Sequence, residues 1–149
     1  MSTVLDAHAL MVYLEREPGF ESVKTLLIQA LENNTPLLMT SVNVGEVLYI
    51  VRREQGASKA EEIEQIIHGL AIKVITVDLD LAREAARSKA HHPISYADCF
   101  SAALAKIHGA ELVTGDPEFE AVESEVQVQW LPPKKGPGEI SPGPGPQNL

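Results

Sequence analysis

A single cysteine, Cys99, stands in a chain of 149 residues, so no internal disulfide can form and a reducing cytoplasm is the expectation. Its place beside an aspartate suggests a nucleophile, but a buried core thiol is the plainer account. No segment approaches the roughly 20 consecutive apolar residues that span a bilayer. The opening MSTVLDAHAL shows no basic n-region or cleavage site, and a secreted protein is not expected. Walker loops, GxGxxG and GxSxG motifs are missing too, leaving nucleotide-binding and hydrolase-elbow readings without support. The adjacent pair His91 and His92 has no second pair at ligand spacing, which argues against a zinc site.

Positive charge is also short. Twelve basic residues face 21 acidic ones, for a net charge of −9. Phosphate binders are usually basic, so the balance counts against nucleic acid. It does not exclude it, because acids that hold metal ions, with a few basic residues at the rim, can still engage RNA. The remaining composition, 44% hydrophobic and 22% charged, is that of one compact domain with a real core.

Short apolar runs alternate with helical patterns. Strands are expected at Thr3–Leu5, Pro36–Thr40, Lys73–Val77, Glu111–Thr114 and Val126–Trp130. Helices are expected from Ala7 to Glu15, Phe20 to Asn33, Ser41 to Gly56, Ser58 onward, Asp78 to Lys89, and Ser95 to Gly109. Ser41, Ser58, Asp78 and Ser95 read as N-caps, Ser58 with Glu61 as its capping-box partner. A short further helix is expected before the last strand. Strands separated by helices, without hairpin signals, predict an α/β fold: a three-layer α/β/α sandwich around a mainly parallel sheet of about five strands. From Pro132 the composition changes, with ten of the last eighteen residues Pro or Gly. Residues 1–131 are therefore expected to form the domain and 132–149 an extended or disordered tail.

Ligands of open parallel sheets bind at the carboxyl ends of the strands. Asp6 directly follows the first strand, and Asp116 lies two residues past the fourth. Glu46 stands among apolar neighbours in the second turn of the helix after the second strand, where an acid is costly unless it faces solvent or a ligand. Two of them have a plainer account: Asp6 as a helix cap, Asp116 as a turn residue before Pro117. Asp98 opens a small-residue helix and could simply favour the helix dipole. Two helices separate the third and fourth strands, and spacing alone leaves open whether Asp98 reaches the same edge. If the four acids converge, their oxygens suit Mg²⁺ or Mn²⁺ rather than zinc. Glu61, Glu62 and Glu64 read as a solvated face.

Three blocks carry a family resemblance: VLDAHALMVYLEREPG, SVNVGEVLYIVRREQG and ISYADCFSAALAKIHGAELVTGDPEF. In this order and spacing they resemble PIN-domain proteins, more narrowly the VapC-like toxins of toxin–antitoxin pairs, over Val4 to Trp130. The resemblance implies that Asp6, Glu46, Asp98 and Asp116 coordinate one or two Mg²⁺ or Mn²⁺ ions for RNA phosphodiester hydrolysis. It implies supporting hydroxyls at Ser41 and Thr114, a homodimer, and a VapB-like antitoxin partner. RNA contacts would fall to Arg52, Arg53, Arg83, Arg87 and Lys89, with His91 or His92. The tail after Trp130 departs from the family pattern.

Other classes remain to be weighed. A housekeeping RNA-processing nuclease would use the same acids. A phosphatase or receiver built on Asp6 lacks the second acid expected nearby, since His8 stands two residues on. A non-catalytic RNA- or protein-binding module would bind without turnover.

Overall fold

The computed structural model describes residues 2–132; the remainder of the Pro/Gly-rich stretch lies outside the described residues. The chain runs β1 (Thr3–Leu5), α1 (Ala7–Leu14), α2 (Phe20–Glu32), β2 (Leu37–Thr40), α3 (Ser41–Gln55), α4 (Ala57–Gly69), β3 (Ile72–Ile75), α5 (Leu79–His91), α6 (Tyr96–His108), β4 (Glu111–Thr114), a 3-10 helix (Pro117–Val122) and β5 (Val128–Trp130). The five strands form one sheet of order β3-β2-β1-β4-β5, every pairing parallel. Leu5 pairs with Val113 and Thr40 with Ile75. Successive connections leave β1 toward β2 and β3, whereas β4 and β5 lie on its other side. The order therefore reverses between β1 and β4, and a crevice opens at their carboxyl ends.

Both faces of the sheet are covered, which is why β2 reads as unbroken apolar sequence and is buried throughout. Strand alternation divides its side chains between two layers. Val4, Leu38 and Leu112 pack with Phe100, Leu104 and Phe119 on the α6 side. On the opposite side, Leu5 and Val113 meet Val12, Val23 and Leu27, and Met39 meets Leu10, Val47, Ile63 and Ile67. Cys99 is buried and free, as the core reading requires. No helix among the described residues is long and apolar enough to cross a membrane.

Two expected caps are corrected. Thr40, not Ser41, caps α3: its backbone is extended and its hydroxyl accepts from the Asn43 N–H at 3.0 Å. The helix thus starts immediately after the strand, and Ser41 Oγ accepts from the Val77 N–H instead. The Ser58–Glu61 capping box does not form. Gly56, at φ +95°, ends α3 and opens α4 at once, so Ser58 lies inside the helix. Asp78 and Ser95 do cap α5 and α6, accepting from the Leu81 and Asp98 N–H groups. The short element before β5 is a 3-10 helix rather than an α-helix.

Candidate functional site

Asp6 keeps an extended backbone, φ −89° and ψ 178°, so it continues the alternation of Val4 and points toward the α6 layer. Thr114 continues Leu112 in the same way. The two side chains meet: Thr114 Oγ1 donates to Asp6 Oδ2, and Thr114 Oγ1 itself accepts from the Asp116 N–H at 2.9 Å. Asp6 Oδ1 accepts from the Ala9 N–H at 2.8 Å, capping α1. Thr114 thus ties the two strand-end acids together.

Asp98 reaches the same edge for a simple geometric reason. Only Gly109 and Ala110 separate α6 from β4, so α6 must end at the amino edge of the sheet. Its 13 residues rise about 1.5 Å each and return its first turn to the carboxyl edge. There, ligand oxygens of Asp98, Asp116 and Glu118 all lie within 4.8 Å of one another. Asp6, Glu46, Asp98 and Asp116 line one cleft of about 260 Å³, together with His8 and Arg53. All four acids singled out in the sequence share it.

The electrostatics follow from that crowding. Burial pushes the Asp6 carboxyl up to about 7; the Asp116 and Glu46 charges add to the rise, and the bonds from Thr114 and Ala9 oppose it. Burial likewise pushes Asp98 up to about 8, reinforced by its hydrogen bond with the Glu118 carboxyl and by Asp116 and Asp6. Glu46 is raised by burial and by Asp116 and Glu118, against a bond from Asn43. Glu15, Glu17 and Glu54 also line the cleft. This set is all oxygen, mutually repelling and partly desolvated, which fits a hard divalent cation and offers no nitrogen or sulfur set for zinc.

Glu118 and Asn43 were not singled out in the sequence. Glu118 follows Asp116 by two residues; its Oε1 accepts from the Ser95 N–H at 3.0 Å, tying the 3-10 helix to the start of α6. Asn43, fully buried, precedes Glu46 by three residues on α3. A polar residue one turn before an acid, on an otherwise apolar face, was the available signal. Ser41 is not among the residues lining the cleft, and its hydroxyl accepts from the Val77 N–H.

The basic residues separate. Arg53 lines the acidic cleft and lies over the Tyr49 ring at 5.4 Å. Arg52 faces a different groove beside Gly45 and Tyr49. On α5, Arg83 pairs with Asp80 and Arg87 with Glu84, each at 2.8 Å. Lys89 donates to the Ile94 carbonyl and His92 pairs with Glu125, and none of these groups lines the cleft.

Gly115 shows how tightly the strand-end turn is built. Its N–H donates to His8 Nδ1 at 3.2 Å, and a Cβ there would stand 2.5 Å from His8 Cε1 and 3.0 Å from the Pro132 carbonyl oxygen. Gly115→Ala is expected to destabilise by about 1–3 kcal/mol through overpacking, read as a lower urea midpoint at unchanged m-value. An unchanged midpoint would show that the turn relaxes freely.

An all-parallel α/β/α sandwich with acids gathered at its switch point defines a class: a carboxylate-site protein whose cleft could hold a divalent cation. Within that class, the chain belongs to the PIN domain family, whose model matches residues 3–125. It is 30% identical over 124 residues to ribonuclease VapC30 of Mycobacterium tuberculosis, a match spanning 78% of this chain and 92% of that protein. The fold is also that of solved structures. A DNA-bound VapBC from Salmonella typhimurium matches with TM-score 0.70 at 16% identity, over 87% of this chain and 97% of the other. Mycobacterium tuberculosis VapC20, a sarcin-ricin loop cleaving toxin, matches with TM-score 0.64 at 19% identity, over 81% of this chain and 95% of the other.

Proposed function

We propose that this chain is a metal-dependent endoribonuclease that hydrolyses RNA phosphodiester bonds and serves as the toxin of a toxin–antitoxin pair. The observation that carries this is the meeting of Asp6, Glu46, Asp98 and Asp116 in one cleft at the sheet's switch point. The ribonuclease name of its 30%-identical relative supports the substrate.

Asp6, Glu46, Asp98 and Asp116 would hold one or two Mg²⁺ or Mn²⁺ ions, with Glu118 adjoining. When bound, such a cation supplies Lewis-acid stabilisation of phosphoryl charge and a more acidic water. The chain's own residues position the ligands. Thr114 orients the Asp6 carboxylate and the Asp116 turn, and Ser95 starts α6 so that Asp98 faces the cleft. Arg53 is the basic residue best placed to meet an RNA phosphate, steadied by the face of Tyr49. Arg83 and Arg87 pair with acids of their own helix and lie outside the cleft lining.

A VapB-like antitoxin is the partner that the VapBC relatives suggest, and a homodimer and a cytoplasmic setting belong to the same proposal. The test is to incubate the full chain with structured RNAs in Mg²⁺ or Mn²⁺ and, in parallel, in EDTA. Cleavage confined to the metal-containing samples is expected. Cleavage undiminished by EDTA would overturn the metal assignment, and RNA retention without turnover in every condition would favour a binding module.

A further inference from the structure

Asn43 has no solvent exposure, and each hydrogen-bonding position of its side chain is occupied. Oδ1 accepts from the hydroxyls of Thr40 and Ser101. Nδ2 donates to Glu46 Oε1 at 3.3 Å and to the Ala97 carbonyl at 3.0 Å. The amide orientation follows from the Ala97 carbonyl, which can only accept. One buried side chain therefore joins the end of β2, the first turn of α3, and the first turn of α6. It holds the Glu46 carboxylate at one end and the residue preceding Asp98 at the other.

We infer that Asn43 is a positioning residue that sets the Glu46 carboxylate against Asp98 and so tunes the affinity of the cleft for a divalent cation. The inference rests on the proposed role of Glu46 as a metal ligand. Glu46 projects from α3 and Asp98 from α6, so their relative placement depends on how these helices are joined. An apolar contact would leave the Glu46 side chain free to choose among rotamers. The Asn43 amide instead restrains it through a directed bond while being anchored on its other side by two hydroxyls. Groups that orient metal ligands in this way typically contribute about 10–100-fold to metal affinity or activity. Asparagine is suited to this position where aspartate is not, since a carboxylate at residue 43 would face two acceptors.

Mn²⁺ binding to the full chain, measured by calorimetry, provides the test, with three variants compared. Asn43→Ser is too short to reach Glu46 and is expected to weaken Mn²⁺ binding by about 10–100-fold. Ser101→Ala removes a bond from the same amide on the side away from Glu46. It is expected to lower the melting temperature while leaving the Mn²⁺ dissociation constant within about twofold, since no ligand loses its orienting bond. Equal affinities for Asn43→Ser and the unmutated chain, or equal losses in Asn43→Ser and Ser101→Ala, would reduce Asn43 to a structural residue. Glu46→Gln separates this from the underlying role. If it weakens binding and Asn43→Ser does not, only the inference fails; if it binds normally, the ligand role of Glu46 fails and the inference falls with it. Should Asn43→Ser not fold, the unmutated ¹⁵N-labelled chain serves. Its Asn43 side-chain amide signal should move saturably with Mg²⁺, and a signal that stays in place at saturation would overturn the inference.

Discussion

Replacing Asp6 and Asp98 together by asparagine is expected to abolish RNA cleavage and, in the same protein, to raise the melting temperature of the metal-free chain at pH 8. The two effects have one origin. Both carboxylates stand in the cleft, Asp6 almost wholly buried, and each is pushed up in pKa by burial and by neighbouring acids. As ligands they would supply charge to a cation whose stabilisation of phosphoryl charge is worth several kcal/mol, and each 1.4 kcal/mol is about tenfold in rate. A loss of about a thousandfold or more is therefore expected in an RNA cleavage assay, with unchanged far-ultraviolet circular dichroism. Asparagine removes that charge and its desolvation cost, at similar volume. Intact cleavage by the double variant would sink the nuclease assignment to this site. Lost cleavage with a lowered metal-free melting temperature would instead show that the carboxylates are needed for folding.

Melting of the unmutated chain should depend on pH in the direction opposite to that of most salt-bridged proteins. The Asp6 carboxyl titrates near 3.8 when unfolded and at about 7 when folded; for Asp98 the folded value is about 8. Between these limits the folded chain binds more protons than the unfolded one, so its stability falls as pH rises. The window runs from about pH 4, where both carboxyls are protonated in the folded protein, to about pH 8, where Asp6 is largely ionised. One pKa unit corresponds to about 1.4 kcal/mol, so even a part of these two rises would lower metal-free stability by several kcal/mol across this window. For a domain of this size that is on the order of 10 °C in melting temperature. Saturating Mg²⁺ should restore most of the loss at pH 8, because a ligand that binds only the folded state stabilises it. Calorimetric scans in EDTA and in Mg²⁺, from pH 5 to pH 8, give the answer. A metal-free melting temperature that rises with pH would mean that the cleft does not crowd its acids.

Most of the framework is legible in the sequence. The β2 run Leu37–Thr40 could be read as a buried parallel strand because water reaches neither of its faces. Asp78 and Ser95 announced their helices because a cap acts through the backbone N–H three residues on, a wholly local interaction. Ser41 and Ser58 misled for a related reason. Each is a good cap by residue type, but Thr40 in extended conformation and Gly56 at positive φ had already started the helix.

The site was legible in part. Asp6 follows β1 directly and Asp116 lies two residues past β4, so the direction of a strand was enough to locate them. Asp98 depended on which way α6 runs, and that is settled by its two-residue link to β4. The resemblance to PIN-domain proteins supplied its role. Glu118 and Asn43 escaped notice because their importance lies in contacts at long sequence separation, with Ser95 and Ala97. The basic residues show the same limit. Arg53, Arg83 and Arg87 look equivalent in sequence, yet Arg53 lines the cleft while the other two are held by Asp80 and Glu84.

By itself, then, the sequence determined the element order, the parallel sheet and the buried core. These depend on local preferences and on the periodicity with which apolar side chains recur. Only the tertiary structure decided that Asp98 faces Asp116 across the switch point, that Thr114 holds Asp6, and that Asn43 joins Glu46 to α6. A charge or an amide acts through what surrounds it in space, and strand order with helix direction decides which distant residues those are.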